Sequence, residues 1–131
     1  MENYFPQINI DESNDSMIKV LKKTRVVIST YNATTFLESM AWNIPTIIFW
    51  DPVINELSDR VLDDFELLKS AGIFHETPES AALQLIKIWD DIDSWWKDKK
   101  LQDIREDFCF KYSRKSKDPL SEFVLKIQSL V

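Results

Sequence analysis

Residues 26–52, VVISTYNATTFLESMAWNIPTIIFWDP, carry most of the information about the fold. The stretch opens with a β-branched apolar run, passes through small polar residues into an amphipathic segment, and becomes apolar again after Pro45. An apolar run without alternation is typical of a strand that is buried on both faces of a parallel sheet. The amphipathic segment has apolar residues at helical spacing, which are Phe36, Leu37, Met40 and Ala41. The stretch therefore predicts a strand, a helix and a second strand, joined as a right-handed βαβ unit.

The sequence on either side extends this pattern. NDSMIKVLKK, residues 14–23, predicts a short amphipathic helix that is capped by Asn14 or Asp15. LSDRVLDDFELLKSAG, residues 57–72, predicts a helix whose left-handed C-terminal cap is Gly72. The tripeptide IFH that follows predicts a third, very short strand.

The C-terminal part of the chain is predicted to be helical. Thr77 as a cap and Pro78 at the first helical position mark a strong helix start, and we expect that helix to cover residues 77–96. Two more helices are expected around residues 99–112 and 119–130. The predicted fold class is therefore α/β, a short parallel sheet with helices on both faces and additional C-terminal helices.

Length and composition are those of one globular domain. The chain has 131 residues, of which 44% are hydrophobic and 29% are charged, so we expect a single α/β domain over residues 1–131. Three strands are few for a freestanding sheet, since the mean sheet has about five or six. We therefore expect a fragment of a larger protein, completed by a missing N-terminal domain or by a second copy. No apolar stretch approaches the roughly 20 residues that span a bilayer, and no signal peptide is recognisable, which predicts a cytoplasmic location.

The composition argues against several classes of site. The single glycine, Gly72, leaves neither a GxGxxG fingerprint nor a GxxxxGK[ST] phosphate loop. The only histidine and the only cysteine, Cys109, leave no metal-ligand spacing, so we expect no metal and no cofactor. A net charge of -6 argues against a nucleic-acid partner. The one basic cluster, KYSRKSK at residues 111–117, is interpreted as a solvated turn between two helices.

Small polar residues gather where the first buried strand gives way to the helix. Ligands of open parallel sheets bind outside the carboxyl ends of the strands, where the next helix presents unpaired amides and the positive end of its dipole. A phosphate or carboxylate is the natural ligand of such a helix start. The candidate binding residues are Thr30, Asn32, Thr34 and Thr35, with Ser29 at the end of the strand.

A reading without a ligand fits the same residues. Asn32 can act as an N-cap that accepts a hydrogen bond from the amide of Thr34 or Thr35, with the hydroxyls merely satisfying the turn. Alternatively, Thr35 and Glu38 have the spacing of a capping box if the helix begins late. The sequence alone leaves the anion site and these structural roles open.

Three further polar residues occupy positions where a ligand would lie. Glu38, one turn inside the helix, can accept hydrogen bonds from a sugar hydroxyl or can be a solvated surface residue. His75 and Asp51 follow the other two predicted strands. His75 is a weak candidate for a catalytic base, against the alternative that it fills a turn.

Several blocks of the chain resemble one family in the same order. These blocks are residues 25–52, residues 65–82 and IWDDIDSWW at residues 88–96. They resemble the C-terminal region of bacterial transferases that are associated with the biosynthesis of O-antigen and other surface carbohydrates. The resemblance covers about residues 11–112. It implies a transferase of bacterial surface polysaccharide biosynthesis, and it is compatible with peripheral membrane association of the parent protein only.

A more distant resemblance concerns the nucleotide-binding half of GT-B glycosyltransferases, whose Rossmann-like domain has a similar strand, polar turn and helix with an internal glutamate. It implies that Thr30, Asn32, Thr34 and Thr35 contact the phosphates of a nucleotide-diphosphate sugar and that Glu38 contacts a ribose hydroxyl. The glycines that are common in that turn are missing here. Because such enzymes place the acceptor in their other domain, we expect this chain alone to bind a donor without turnover.

A different class of function also fits the sequence. The chain has five tryptophans, and Trp89, Ile92 and Trp96 recur at helical spacing. Such a row packs in a core or between domains. If the row were exposed, the protein could instead be a noncatalytic α/β interaction module that uses its Trp-rich C-terminal helices.

Overall fold

The computed structural model describes residues 8–130. Within this range the chain forms three β-strands, seven α-helices and one 3-10 helix. In chain order they are α1 (Met17–Lys23), β1 (Val27–Ser29), α2 (Thr34–Ala41), β2 (Thr46–Phe49), the 3-10 helix (Asp59–Val61), α3 (Leu62–Ser70), β3 (Phe74–His75), α4 (Pro78–Ile88), α5 (Ile92–Trp96), α6 (Lys99–Tyr112) and α7 (Pro119–Gln128).

The strands form one parallel sheet in the order β1-β2-β3. Val27 pairs with Thr46 across the first ladder, and Ile48 pairs with Phe74 across the second. The predicted fold class is confirmed, because helices surround a short parallel sheet in a small α/β domain. The three strands are parallel, so their carboxyl ends lie at one edge of the sheet.

Neighbouring residues of β2 point into two different cores. Ile48 packs in the larger cluster with Phe36, Phe65 and Phe108, which come from α2, α3 and α6. Ile47 packs on the opposite face in a smaller cluster that contains Ala81, Ile88 and Ile92 of α4 and α5. Both isoleucines are about 1% exposed or less, as expected for a strand that is covered on two sides.

Buried polar contacts fix the position of α2, the helix that follows β1. The Thr46 hydroxyl donates to Ser39 Oγ at 2.9 Å beneath the helix. At the C-terminal end, the guanidinium of buried Arg105 donates to the Met40 carbonyl at 3.0 Å, which also places a cation where the helix dipole favours it. Asn43 adopts the left-handed conformation with φ of 56°, and its side-chain oxygen accepts from the indole of Trp96 at 2.8 Å. These contacts anchor the C-terminal half of α2 on the sheet and on α6.

The structure corrects several predicted helix bounds. The N-cap of α1 is Ser16 and not Asn14 or Asp15, and residues 57–72 form a 3-10 helix followed by the shorter α3. Residues 77–96 form two helices, α4 and α5, because the chain turns at Trp89–Asp91. Asp91 caps the second helix through its carboxylate, which accepts from the amide of Ser94 at 3.0 Å. The predicted cap at Thr77 and the predicted left-handed Gly72, with φ of 72°, are both confirmed.

The tryptophans divide between the core and the surface. Trp96 is 3% exposed, and the indole of half-buried Trp95 donates to the Ala71 carbonyl at 3.0 Å. Trp89 remains 47% exposed at the end of α4. Ile92 and Trp96 therefore pack in the core, whereas Trp89 lies beyond the end of α4, so the three residues do not form one row on a single helix.

Several apolar side chains remain uncovered within residues 8–130, among them residues of β1 and α7. Ile28 of β1, on the same face as Ile47, is 46% exposed, since no helix covers β1 on the α4 side. α7 has no buried residue, although Leu120, Phe123 and Ile127 form an apolar stripe. In the described range, no helix combines the length and the apolar character that a membrane crossing needs.

Candidate functional site

The loop between β1 and α2 is a tight turn at the carboxyl edge of the sheet. Ser29 ends β1 as a buried residue, and its hydroxyl donates to the Tyr31 carbonyl at 3.4 Å. The amide of Ala33 donates to the same carbonyl at 3.0 Å. Ser29 is thus used inside the turn, whereas the side chains of Thr30, Tyr31 and Asn32 are exposed.

The start of α2 carries no side-chain cap. Its N-cap is Ala33, in extended conformation with φ of -138° and ψ of 173°, and alanine has no oxygen to offer. Capping by Asn32 and a capping box from Thr35 to Glu38 are both excluded by this geometry. Within residues 8–130, the amides of Thr34 and Thr35 donate no hydrogen bond. Two main-chain donors at the positive end of the helix dipole are therefore unpaired.

The side chains around this helix start are also unpaired. Thr30, Asn32, Thr34 and Glu38 are exposed and Thr35 is half-buried. In the described part of the chain, none of their polar side-chain atoms forms a hydrogen bond or an ion pair. Thr34 and Glu38 lie one helical turn apart on the same face of α2. The structure therefore places Thr34 and Glu38 in one groove, while Thr30, Asn32 and Thr35 lie in or next to the preceding turn, and none of the five has an internal partner.

A groove runs along α2 from this helix start. It has a volume of about 520 Å³ and lies between α2 and the connection from α6 to α7. Thr34, Glu38 and Trp42 line one side, and Ser113, Arg114 and Lys115 line the other. The Lys115 ammonium lies 3.7 Å from the centre of a Trp42 ring, while Arg114 pairs with Glu122 at 2.8 Å.

The basic side of this groove was missed by the sequence analysis. The cluster at residues 111–117 was interpreted as a solvated turn, and part of it does form the exposed α6–α7 connection. Its placement beside Thr34 and Glu38 depends on the packing of α6 against α2. No local signal in the sequence encodes that contact, because more than 70 residues separate the two segments.

His75, the weak candidate for a catalytic base, is 8% exposed and has both ring nitrogens engaged. Nε2–H donates to the Gly72 carbonyl at 3.1 Å, so Nδ1 accepts from the Ser80 hydroxyl at 2.7 Å. Burial lowers the pKa of His75 below its ordinary value, and the hydrogen bond to the Gly72 carbonyl opposes this shift. These contacts hold a neutral imidazole in place and leave neither nitrogen free for a substrate.

Asp51, which follows β2, closes its own turn. Its carboxylate accepts from the amide of Val53 at 2.8 Å, and its carbonyl accepts from the amides of Ile54 and Asn55 at 3.0 Å. The aspartate is exposed, but its carboxylate and its carbonyl already accept hydrogen bonds within the loop. Across residues 8–130 there is no group of three or more histidine, cysteine or acidic residues that could hold a metal ion.

Comparison with known families decides the assignment. Residues 1–127 match the family described as LIC12162 family transferase. The chain belongs to this family. Searches of curated proteins and of solved structures found no significant match.

Membership in the LIC12162 family of transferases supports a transferase-like role for the chain. The matched residues include β1, α2, the groove and nearly all of α7. The candidate site thus lies within the part of the chain that matches the family. A transferase must hold a group donor, and an unpaired helix start at the carboxyl edge of a parallel sheet is a suitable place for a charged one.

Proposed function

We propose that the chain binds the diphosphate of an activated sugar, such as a nucleotide-diphosphate sugar, at the start of α2. In this proposal the chain is the donor-binding part of a glycosyltransferase-like enzyme of bacterial surface polysaccharide biosynthesis. The resemblance of residues 25–52 to the nucleotide-binding half of GT-B enzymes supports the donor class. The family assignment supports the transfer of a group.

One observation carries the proposal, namely the uncapped start of α2. The amides of Thr34 and Thr35 have no acceptor within residues 8–130, and the residue before them cannot provide one. A phosphate there would receive aligned N–H donors together with the favourable field of the helix dipole. The hydroxyls of Thr30, Thr34 and Thr35 and the amide of Asn32 would add side-chain hydrogen bonds.

Glu38 has the chemistry for the next part of the donor. It lies one turn inside α2, is exposed, and pairs with no cation in the described structure. A carboxylate only accepts hydrogen bonds, so it suits the hydroxyls of a ribose and repels a phosphate. We assign Glu38 to a ribose hydroxyl of the donor and the preceding turn to the phosphates.

The proposed mechanism is electrostatic. When the glycosidic bond to the donor breaks, negative charge develops on the leaving diphosphate. Preorganised amides at the start of α2 would stabilise that charge more than the charge of the intact donor, which lowers the barrier. No covalent nucleophile on this chain is needed. The acceptor and a catalytic base would come from a further domain or subunit.

The uncovered side of β1 supports such a partner. Ile28 is 46% exposed on the face that α4 covers over β2, and β1 is an edge strand. In parallel α/β sheets such a position is normally covered by another strand and helix. We propose that additional α/β structure, in the same parent protein or in a second copy, completes the sheet there.

The proposal is tested by removing one main-chain donor. Proline is tolerated at the first helical position, and the extended Ala33 is compatible with a following proline, so Thr34→Pro deletes one amide together with the Thr34 hydroxyl and preserves α2. Thr34→Ala, which keeps the amide, shows how much of the effect comes from the hydroxyl. We expect the dissociation constants of inorganic pyrophosphate and of UDP to rise about tenfold or more, since a hydrogen bond to a charged group contributes about 1.5 to 3 kcal/mol. Isothermal titration calorimetry measures both.

Met17→Pro is the matched control, because Met17 is the exposed first residue of α1. This variant should bind pyrophosphate as the unmodified chain does. Equal affinities of Thr34→Pro and Met17→Pro would contradict the site, as would a complete failure of pyrophosphate and of a panel of nucleoside diphosphates to bind the unmodified chain.

A second candidate function is a noncatalytic interaction module. α7 favours it, because Leu120 is 72% exposed and Phe123 is 63% exposed on one helix face. The tryptophans of α5 do not contribute, since Trp96 is buried in the core. Light scattering coupled to size-exclusion chromatography discriminates the two functions: a stable oligomer that Phe123→Glu dissociates, combined with no pyrophosphate binding, would favour the module.

A further inference from the structure

We propose that the groove between α2 and residues 113–116 holds the nucleoside end of the donor, with Trp42 as the stacking platform for its base. This inference rests on the proposed function, since it extends the phosphate site at the start of α2. It assigns a role to Trp42 and to Lys115, neither of which was a candidate from sequence.

The spacing along α2 matches the order of groups in a nucleoside diphosphate. Thr34, Glu38 and Trp42 are each four residues apart, so they lie on one side of the helix and all three line the groove. At 1.5 Å per residue, the distance along the helix from Thr34 to Trp42 is about 12 Å. An extended nucleoside diphosphate has a comparable length, with its sugar hydroxyls between the phosphates and the base.

The size and lining of the groove suit a nucleoside. Its volume of about 520 Å³ falls within the range of small-molecule sites, roughly 300 to 1,000 Å³. The polar side chains of Thr34, Glu38 and Ser116 line it beside the aromatic ring of Trp42. The groove therefore offers polar contacts in addition to an aromatic surface.

Trp42 presents an accessible ring that is now in contact with lysine. It is 49% exposed, and the ammonium groups of Lys115 and Lys22 lie 3.7 Å and 5.6 Å from its ring centres. Neither lysine pairs with a carboxylate within residues 8–130. A cation–π contact at an exposed site is weaker than base–aromatic stacking, so a base can replace Lys115 on the ring. The displaced ammonium would move into solvent, so Lys115 covers the ring only when no base is bound.

Trp89 offers a matched control on another part of the molecule. It is 47% exposed, nearly the same as Trp42, and the guanidinium of Arg25 lies 4.7 Å from its ring centre. It lies at the end of α4 and does not line the groove. An effect of Trp42→Ala that Trp89→Ala lacks is therefore a property of the groove.

The experiment compares inorganic pyrophosphate with UDP, ADP, GDP and CDP by isothermal titration calorimetry. In the unmodified chain we expect at least one nucleoside diphosphate to bind about tenfold tighter than pyrophosphate, which is a typical gain from one stacked base. Trp42→Ala should abolish this advantage and leave the affinity for pyrophosphate unchanged. Trp42→Phe should retain part of it, and Trp89→Ala should retain all of it. The melting temperature of each variant checks that it is folded.

The outcomes separate the two proposals. If pyrophosphate binds but Trp42→Ala leaves the ratio of nucleotide to pyrophosphate affinity unchanged, the base platform is wrong and the phosphate site stands. If Trp42→Ala weakens both ligands equally, Trp42 supports α2 and does not contact a base, which also overturns the inference. If neither ligand binds the unmodified chain, the phosphate site and the base platform both fail.

Discussion

The first and last βα junctions of the sheet occupy equivalent positions and have opposite chemistry. At the junction of β3 and α4, the Thr77 hydroxyl accepts from the amide of Ser80 at 3.2 Å, and Pro78 removes one amide that would need a partner. The hydroxyl of Ser80 in turn donates to His75 at 2.7 Å. At the junction of β1 and α2, the capping position is an alanine, and the amides after it donate to nothing in the described residues.

This difference distinguishes a helix start that stabilises the fold from one that is available to a ligand. A helix start that its own side chains satisfy gains about 1 kcal/mol from the cap and has no donors left for a ligand. An uncapped start forgoes that gain and keeps its donors available to an anion. Polar residues after a parallel strand are therefore ambiguous in sequence, and the presence or absence of the cap distinguishes the two roles. We call the junction of β3 and α4 closed, because its own side chains satisfy the helix start, and the junction of β1 and α2 open. His75 belongs to the closed junction.

The largest expected loss of stability follows from a substitution of Gly72 beside the closed junction. The carbonyl of Gly72 accepts a hydrogen bond from His75. Gly72→Ala should lower the free energy of unfolding by about 1 to 2 kcal/mol, because an alanine at φ of 72° is strained. The new methyl group would also lie 2.8 Å from the side-chain nitrogen of Gln84, which is flexible and can move. Urea unfolding measures the change.

Two variants test that explanation. Gly72→Ala combined with Gln84→Ala should be no more stable than expected from the two single changes, because the backbone causes the strain and the contact does not. Gly72→Asn should be less destabilised than Gly72→Ala, since asparagine tolerates this conformation, as Asn43 does at φ of 56°. Full recovery of stability in the double variant would show that the contact with Gln84 was the cause.

Smaller changes in unfolding free energy are expected from alanine substitutions at the two helix starts, which can be compared directly. Thr77→Ala should cost about 1 kcal/mol of unfolding free energy, because it removes the acceptor for the Ser80 amide. Asn32→Ala and Thr34→Ala should each stay within about 0.5 kcal/mol, since neither side chain has a partner in the described structure. Matched urea titrations of the three variants decide the comparison. A loss at Asn32 as large as that at Thr77 would mean that the first junction is capped in solution.

The elements with strong local signals could be predicted from sequence. The two apolar runs predicted β1 and β2, and Thr77 with Pro78 predicted the start of α4. These predictions succeeded because each element depends on residues that are adjacent in the sequence. The break between α4 and α5 was missed, since a continuous helical period conceals a turn at Trp89–Asp91. The residue that could have indicated this break is Asp91, because aspartate is favoured at the N-cap of a new helix.

The candidate site was only partly predictable, because some of its residues are neighbours in the sequence and others meet only in the folded chain. Thr30, Asn32, Thr34, Thr35 and Glu38 are close in sequence, so a local pattern suffices to select them. Whether the helix begins at Asn32 or at Thr34 decides if a cap exists, and helix ends are the least certain part of such predictions. Lys115 reaches the same groove only through the packing of α6 against α2, a tertiary contact that no local pattern encodes.

The smallest expected effect is a pH dependence that belongs to the closed junction alone. Burial holds the pKa of His75 below its ordinary value in the folded chain, whereas the unfolded chain has a pKa near 6.5. As the pH falls through 6.5, the unfolded state therefore takes up a proton that the folded state does not, and the free energy of unfolding decreases until the lower folded pKa is reached. His75→Gln lacks this proton, so its stability should change less between pH 7 and pH 5 in urea titrations. Thr34→Ala, at the open junction, should follow the unmodified chain over that range, and a slope that His75→Gln leaves unaltered would mean that other groups produce it.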